Sequence, residues 1–136
     1  MDSYQDAKYI YDNLSDTEKN YMSPSGRFVD SPMLVYRYVH KVDNQPVGMI
    51  ECYPYNGKSK ISVFMIYAVK KEYRGQGIAG YMVNHMNQWL RSNTDYKKII
   101  YRVDSNNQAS IRSAQKLGFK LQTKGKSYLS FYKEIK

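Results

Sequence analysis

The chain has 136 residues and a formal net charge of +9, and its 42% hydrophobic and 24% charged residues are typical of a globular domain. This length supports one domain, residues 1–136, with a core that needs neither metal nor disulfide, and the single cysteine, Cys52, excludes an intrachain disulfide. No segment is apolar over the roughly 20 residues that cross a bilayer, and the N-terminus lacks a secretory-signal pattern, so we expect a soluble, cytoplasmic protein.

The positive charge is concentrated in the second part of the chain. Residues 1–60 carry seven Lys and Arg against eight Asp and Glu, a net of −1, whereas residues 61–136 carry fourteen against four, a net of +10. An anionic partner would be attracted to the second part. Charge alone does not distinguish a nucleotide cofactor from nucleic acid, so both classes of partner stay open at this point.

Two helices and three strands are predicted for the first half of the chain. Apolar residues recur at helical spacing over residues 4–14, and Ser15 with Glu18 forms a capping box that starts a second, short helix. That helix ends near the turn-rich residues 23–26. Segments rich in β-branched and aromatic residues then predict an antiparallel meander with turns at 43–46 and 55–60, its strands at residues 33–42, 47–55 and 61–69.

The second half alternates helices and strands. Apolar spacing predicts a helix from Ile78 to about Ser92, and a second helix is expected to be capped at Ser105 and to end at Leu117, before a C-terminal Gly118. Strands are predicted at residues 97–103, 119–123 and 128–135. This order indicates an α/β fold, an αβα sandwich whose helices cover both faces of a central mixed, mostly antiparallel sheet.

A glycine-rich loop joins the third strand to the following helix. Its residues 75–80, GQGIAG, match the dinucleotide fingerprint G-x-G-x-x-G, but that fingerprint follows its strand directly, and here residues 70–74 intervene. A P-loop would require Gly-Lys-Ser/Thr, which is absent from the loop. Neither nucleotide motif therefore explains the segment.

The loop has the chemistry of an anion site. Glycines allow consecutive backbone N–H groups to turn inward, and the following helix adds the positive end of its dipole. Ala79 keeps the first helical turn small, and Arg74 can add a cation or brace the loop. The alternative is a tight strand-to-helix turn without a ligand.

Two motifs resemble those of the GNAT superfamily of N-acetyltransferases. The first is Arg74-x-x-Gly77-x-Ala79, and the second is the stretch VDSNNQASIRSAQKLGF at residues 103–119, with an asparagine, small residues and a final Lys-x-Gly-Phe. The resemblance covers roughly residues 35–135. It implies an acetyl-CoA-dependent N-acetyltransferase in which an amine attacks the thioester directly in a ternary complex.

The resemblance also implies a cofactor site. Coenzyme A would place its diphosphate on the loop and its pantetheine arm between the strands that end at Val69 and Val103, where they part. Asn107 matches the motif asparagine and would contact the cofactor, although a helix cap is an equal alternative. The implied cofactor-binding residues are Tyr67, Ala68, Val69, Arg74, Gly75, Gln76, Gly77, Ile78, Ala79, Gly80 and Asn107.

The catalytic groups depart from the family pattern. Many relatives carry a general-acid tyrosine seven residues after the motif asparagine, where this chain has Ala114; Ser110, one turn earlier, could hold a water. Glu51 is the one acidic residue within a neighbouring predicted strand, and we predict it as the general base. His40 on a strand and His85 on the polar face of a helix lack metal-ligand spacing, so no metal is predicted.

Two rival hypotheses remain. A catalytically silent CoA-binding module would explain Ala114 and the scarcity of carboxylates, and nucleic-acid binding would explain the charge. The acceptor would be a small-molecule or peptide amine, and the resemblance implies that the N-terminal helices and residues 23–32 shape its site. That segment is slightly acidic, which favours a cationic amine. The family's first strand is not visible, so the sheet would be one strand short or paired with a second copy, as a homodimer.

Overall fold

The computed structural model describes residues 3–22 and 28–136, so the turn predicted at residues 23–26 lies outside the described residues. The four helices are α1 (Ser3–Asp12), α2 (Asp16–Met22), α3 (Ile78–Asn93) and α4 (Gln108–Lys116). The six strands are β1 (Tyr36–Val42), β2 (Gln45–Pro54), β3 (Ser62–Val69), β4 (Lys98–Asp104), β5 (Lys120–Lys124) and β6 (Tyr128–Glu134). The predicted order of elements is confirmed.

The strands form one mixed sheet in the order β1-β2-β3-β4-β6-β5. Four of the neighbouring pairs are antiparallel, and only β3 and β4 are parallel. Helix α1 packs on one face of the sheet against β2, while α3 and α4 pack on the other face. The predicted αβα sandwich with a mostly antiparallel sheet is therefore confirmed.

A close approach between β2 and α3 fixes the position of the glycine loop. A Cβ atom added at Gly48 would lie 3.2 Å from both Ile78 Cγ2 and Met82 Sδ, so the first turn of α3 rests almost on the backbone of β2. The inward face of α3 then continues into the core through Met86 and Leu90, both fully buried. The start of α3 is thus held rigidly beside the end of β3.

The local signals at helix ends agree with the structure in two places and differ in one. The capping box is present, with reciprocal bonds between Ser15 and Glu18 of 3.0 and 3.2 Å, and Gly118 follows α4 with φ +85°. The prediction that Ser105 caps α4 is wrong, because Asn107 is the N-cap. The carboxylate of Asp104 accepts the N–H of Asn106 at 2.8 Å, so the chain makes a turn after β4 before the helix begins.

The sheet has an open edge at β1. Among the described residues no strand precedes α1, so β1 pairs only with β2. A two-residue turn at Asp43 and Asn44, both with positive φ, joins these strands. A β-bulge at Val47 of β2, opposite His40 and Lys41, shifts their register by one residue. That bulge determines which side chains of β1 lie opposite those of β2.

Candidate functional site

A gap opens between the two parallel strands at the centre of the sheet. β3 and β4 pair only over Ser62–Phe64 and Lys98–Ile100, although β3 continues to Val69 and β4 to Asp104. Beyond Phe64 the strands therefore diverge. The predicted parting of the strands that end near Val69 and Val103 is present in the structure.

The backbone of β3 directs polar groups into this gap. The N–H of Lys70 donates to the carbonyl of Val47 on β2 at 2.8 Å, so by the alternation of an antiparallel ladder Ala68 also bonds to β2. Tyr67 and Val69, the alternate residues, turn their N–H and C=O groups the other way, toward β4. Since β4 has diverged at this level, these groups are free to bond to an extended ligand.

The glycine loop lies at the mouth of the gap. Gly75 and Gly77 have φ values of +78° and +83°, a region that favours glycine, and no atom lies within 4 Å of a Cβ added at either position. Gly77 is the N-cap of α3 and provides no side-chain cap, and the first intrahelical bond is from Tyr81 N–H to Gly77 O at 3.0 Å. The N–H groups of Ile78, Ala79 and Gly80 therefore lack intrahelical acceptors.

These features together form a concave surface of donors. The loop backbone is exposed, the positive end of the α3 dipole faces outward, and the open space beside Gly75 and Gly77 can admit a ligand. Gln76 lies within the loop and reaches back to the carbonyl of Glu72 at 3.5 Å. The arrangement has the chemistry of a site for a phosphate or diphosphate.

Arg74 braces the loop. Its Nε donates to the carbonyl of Val69 at 2.9 Å, and its guanidinium forms an ion pair with Glu18 of α2. The first contact fixes the loop against the end of β3, and the second connects it to the N-terminal helices. Its side chain is 43% exposed, so the guanidinium can also face a ligand in solvent.

A tyrosine pair that the sequence did not reveal lies beside the gap. The rings of Tyr67 and Tyr101 have centroids 5.4 Å apart, and Tyr101 is almost fully buried on the same side of the sheet as α3 and α4. Burial is the main cause that raises the pKa of Tyr101, and the nearby Tyr67 raises it further. A hydrogen bond with Ser110 partly opposes the rise in pKa. Tyr101 thus keeps its proton at neutral pH and is a hydrogen-bond donor near the gap.

Asn107 and Ser110 form a local cap on α4. The Oδ1 of Asn107 accepts the N–H of Ser110 at 3.2 Å, and its Nδ2 donates to Ser110 Oγ at 2.9 Å. Asn107 is therefore a helix cap in this structure, the alternative that the sequence left open. Ala114, at the position of the family's tyrosine, is fully buried and offers no hydroxyl.

Glu51 lies on the opposite face of the sheet, in the wall of a cavity of about 350 Å³ that is bounded by β2, β3 and the segment after α2. The side chain is fully buried, and both carboxylate oxygens are occupied. Oε2 accepts from Arg37 Nε at 2.5 Å, and Oε1 accepts from the Tyr53 hydroxyl at 2.6 Å. Burial and this bond to Glu51 raise the pKa of Tyr53, so Tyr53 stays protonated as the donor.

The two histidines lie away from the loop in an aromatic cluster between β1 and α3. His85 was predicted on the polar face of α3, but it is half-buried, with its ring 4.1 Å from that of Tyr38 and its Nδ1 hydrogen-bonded to the Tyr36 hydroxyl. The Tyr38 hydroxyl bonds to His40 at 3.1 Å. Within residues 3–22 and 28–136, no three His, Cys, Asp or Glu side chains are grouped to hold a metal.

The chain belongs to the acetyltransferase (GNAT) family, whose model matches residues 2–119. No curated protein matches the sequence. Membership of this family supports an acyltransferase activity in which an acetyl group is transferred. Over the described ranges, no helix is long and apolar enough to cross a membrane.

Solved structures show the same fold. The GNAT domain of PAT from S. lividans is 14% identical, with a TM-score of 0.78 over 98% of this chain and 86% of that one. A GNAT-family acetyltransferase from Streptococcus pneumoniae is 14% identical, with a TM-score of 0.74 over 98% of this chain and 93% of that one. The Campylobacter jejuni N-acetyltransferase PseH, in complex with acetyl coenzyme A, is 15% identical, with a TM-score of 0.60 over 74% of this chain and 67% of that one.

Proposed function

We propose that this protein transfers the acetyl group of acetyl-CoA to a primary amine by direct attack in a ternary complex. The observation that carries the proposal is the position of the exposed glycine loop at the mouth of the gap between β3 and β4. A ligand with an anionic diphosphate and an extended amide-bearing arm fits this pair of features. Family membership supports the same activity.

The loop would hold the diphosphate of coenzyme A. Backbone N–H groups from Gly75 to Gly80 would donate to it, including that of Gln76, and the amides of Ile78 and Ala79 would add the helix end. Arg74 would keep the loop in place and face the phosphates with the exposed part of its guanidinium. Asn107, at the start of α4, would contact the cofactor from the β4 side of the gap.

The gap would hold the arm. Tyr67 and Val69 would pair through their backbone groups with the pantetheine amides, and Ala68 between them would line the arm. Acetyl-CoA supplies an activated thioester whose thiol is a good leaving group. A backbone N–H aimed at the developing oxyanion can lower the barrier by about 3–4 kcal/mol, and the N–H groups at the end of β3 are the candidates.

Proton removal from the amine would take place on the face of the sheet that holds Glu51 and its cavity. The amine would have to enter the reaction neutral, so an ammonium would first lose a proton to solvent. Its nitrogen would attack the carbonyl carbon, the C–S bond would break to release a thiolate, and the nitrogen would lose its remaining extra proton. Glu51 would accept that proton, either directly or through a water, and Tyr53 and Arg37 would hold its carboxylate in place. The thiolate could leave without the family's tyrosine, because a thiol with a pKa near 8.5 is a good leaving group, and the released thiolate would take a proton from water.

A silent CoA-binding module is the second candidate, favoured by the buried Ala114 and by the ion pair that occupies Glu51. Incubation with acetyl-CoA and a broad panel of amines, followed by detection of free thiol, separates the two candidates. Amine-dependent thiol release supports the enzyme, and cofactor binding without release for any amine supports the silent module.

The charge of the second half calls for a further control, because nucleic-acid binding rests on charge alone. At moderate salt, acetyl-CoA should raise the melting temperature and oligonucleotides should not. A stabilising effect of oligonucleotides alone would reverse the assignment. We also propose a reducing compartment, since the only cysteine, Cys52, is a buried free thiol.

A further inference from the structure

The cavity beside Glu51 is largely apolar. Its volume of about 350 Å³ lies within the range of small-molecule sites, and seven of its eleven lining residues are apolar. Two of these apolar residues, Val29 and Met33, are 50% and 47% exposed, so part of the cavity wall faces solvent. The cavity is thus an apolar surface open to solvent.

The cavity also lies beside β3, one of the two strands that bound the gap. Phe64 and Ile66 line it from β3, and Phe64 is the last residue of β3 that pairs with β4. Ile66 immediately precedes Tyr67, whose backbone turns into the gap. A group in the cavity therefore lies across the sheet from α3, next to the place where the thioester is proposed.

The charges near the cavity are already paired. Among the described residues that line the cavity, Glu51 is the one carboxylate, and it is bonded to Arg37 and Tyr53. Arg37 also donates through Nη2 to Asp30 at 3.1 Å. Three further carboxylates of residues 1–60 are paired elsewhere, as Lys8–Asp12, Lys41–Asp6 and Arg74–Glu18. A second ammonium group entering the cavity would meet no free carboxylate among the described lining residues.

We propose that this cavity selects the acceptor, and that it takes a primary amine carried on an apolar group about the size of a phenyl ring or a branched alkyl chain. The inference rests on the proposed function and specifies its substrate class. The apolar group lies against Phe64, Ile66 and Met33, and the amine points past Ile66 into the gap. Diamines and polyamines are disfavoured, because a second ammonium held against these apolar side chains would lose part of its hydration without gaining a partner. This differs from the cationic amine that the slightly acidic N-terminal segment favours.

A matched pair of substrates tests the inference. n-Pentylamine and 1,4-diaminobutane have equal numbers of non-hydrogen atoms, and they differ in whether a methyl or an ammonium group enters the cavity. We expect kcat/KM for thiol release to be about a hundredfold higher with n-pentylamine. From propylamine to pentylamine, kcat/KM should rise about fourfold for each methylene buried.

Two variants locate the effect. Met33→Glu places a carboxylate on the exposed rim of the cavity and should lower the preference for n-pentylamine over 1,4-diaminobutane about tenfold. Leu121→Glu is the matched control, because Leu121 is 53% exposed on β5, outside the cavity lining, and the preference should not change. Melting temperatures of both variants check that the fold is retained.

The outcomes separate the inference from the function on which it rests. Equal or better turnover of 1,4-diaminobutane overturns the inference and leaves the acetyltransferase assignment intact. A preference that Met33→Glu does not alter overturns the placement of the acceptor in this cavity. Absence of thiol release with every amine overturns the proposed function itself.

Discussion

Replacing Gly77 by alanine tests the cofactor loop at its most constrained residue. Gly77 has φ +83° and ψ 7°, and an added Cβ meets no atom within 4 Å, so the cost of Gly77→Ala is conformational rather than steric. A left-handed backbone costs a residue with a Cβ about 1–2 kcal/mol. With an unfolding entropy of about 0.3 kcal/mol/K for a chain of this length, the melting temperature should fall by about 3–7 °C.

The same substitution should weaken coenzyme A binding. If the backbone at position 77 relaxes to a negative φ, the following N–H turns out of the concave surface and a hydrogen bond to a charged phosphate is lost. Such a bond contributes about 1.5–3 kcal/mol, so Kd measured by titration calorimetry should rise about tenfold to a hundredfold.

Gly57 provides a matched control for this experiment. It also has a positive φ, +76°, and also has no atom within 4 Å of an added Cβ, but it lies in the turn between β2 and β3. Gly57→Ala should cause a similar loss of stability while the Kd for coenzyme A stays unchanged. Equal affinities for Gly77→Ala and Gly57→Ala would refute the assignment of the loop as the diphosphate site.

Three further predictions concern the surrounding residues. Arg74→Ala should change stability by less than about 1 kcal/mol, because the ion pair with Glu18 is exposed. It should raise the Kd for coenzyme A several-fold, and an unchanged Kd in calorimetry would contradict the role of Arg74 in holding the loop. Glu51→Gln should lower kcat by about a hundredfold or more, and a wild-type kcat would exclude Glu51 as the base. Because the substitution disrupts a buried ion pair, urea titrations should show a loss of stability of about 3 kcal/mol. Burial and nearby Glu51 raise the pKa of Cys52 to about 12, and burial raises that of Tyr36 to about 12. In the unfolded chain both groups ionise at lower pH, near 9 and 10, so the unfolded state binds fewer protons than the folded state over this range. Stability should therefore fall as pH rises from 9 toward 12, and a constant melting temperature from pH 8 to 11 would contradict this.

The fold was predictable from local signals, because its information lies in short segments. The capping box at Ser15, the glycine after α4 and the loop at residues 75–80 are each set by a few adjacent residues, and the order of helices and strands follows from periodicity. The placement of β6 between β4 and β5 is a long-range pairing, which no local pattern specifies.

The ion pair of Glu51 with Arg37 could not be predicted, because it depends on the register between β1 and β2. The turn at residues 43–44 alone would place Arg37 opposite Ile50, but the β-bulge at Val47 shifts the register so that Arg37 lies opposite Glu51. One inserted residue therefore decides whether Glu51 is a free carboxylate or half of a buried ion pair. The Tyr67–Tyr101 contact depends likewise on the pairing of β3 with β4, although a tyrosine on the buried face of β4 was a usable signal.

A crystal structure of the protein with coenzyme A tests the central claim most directly. We predict the diphosphate within hydrogen-bond distance of backbone nitrogens between residues 75 and 80, and the pantetheine arm along Tyr67 and Val69 in the gap between β3 and β4. A diphosphate bound elsewhere on the molecule, with the glycine loop unoccupied, would contradict the account.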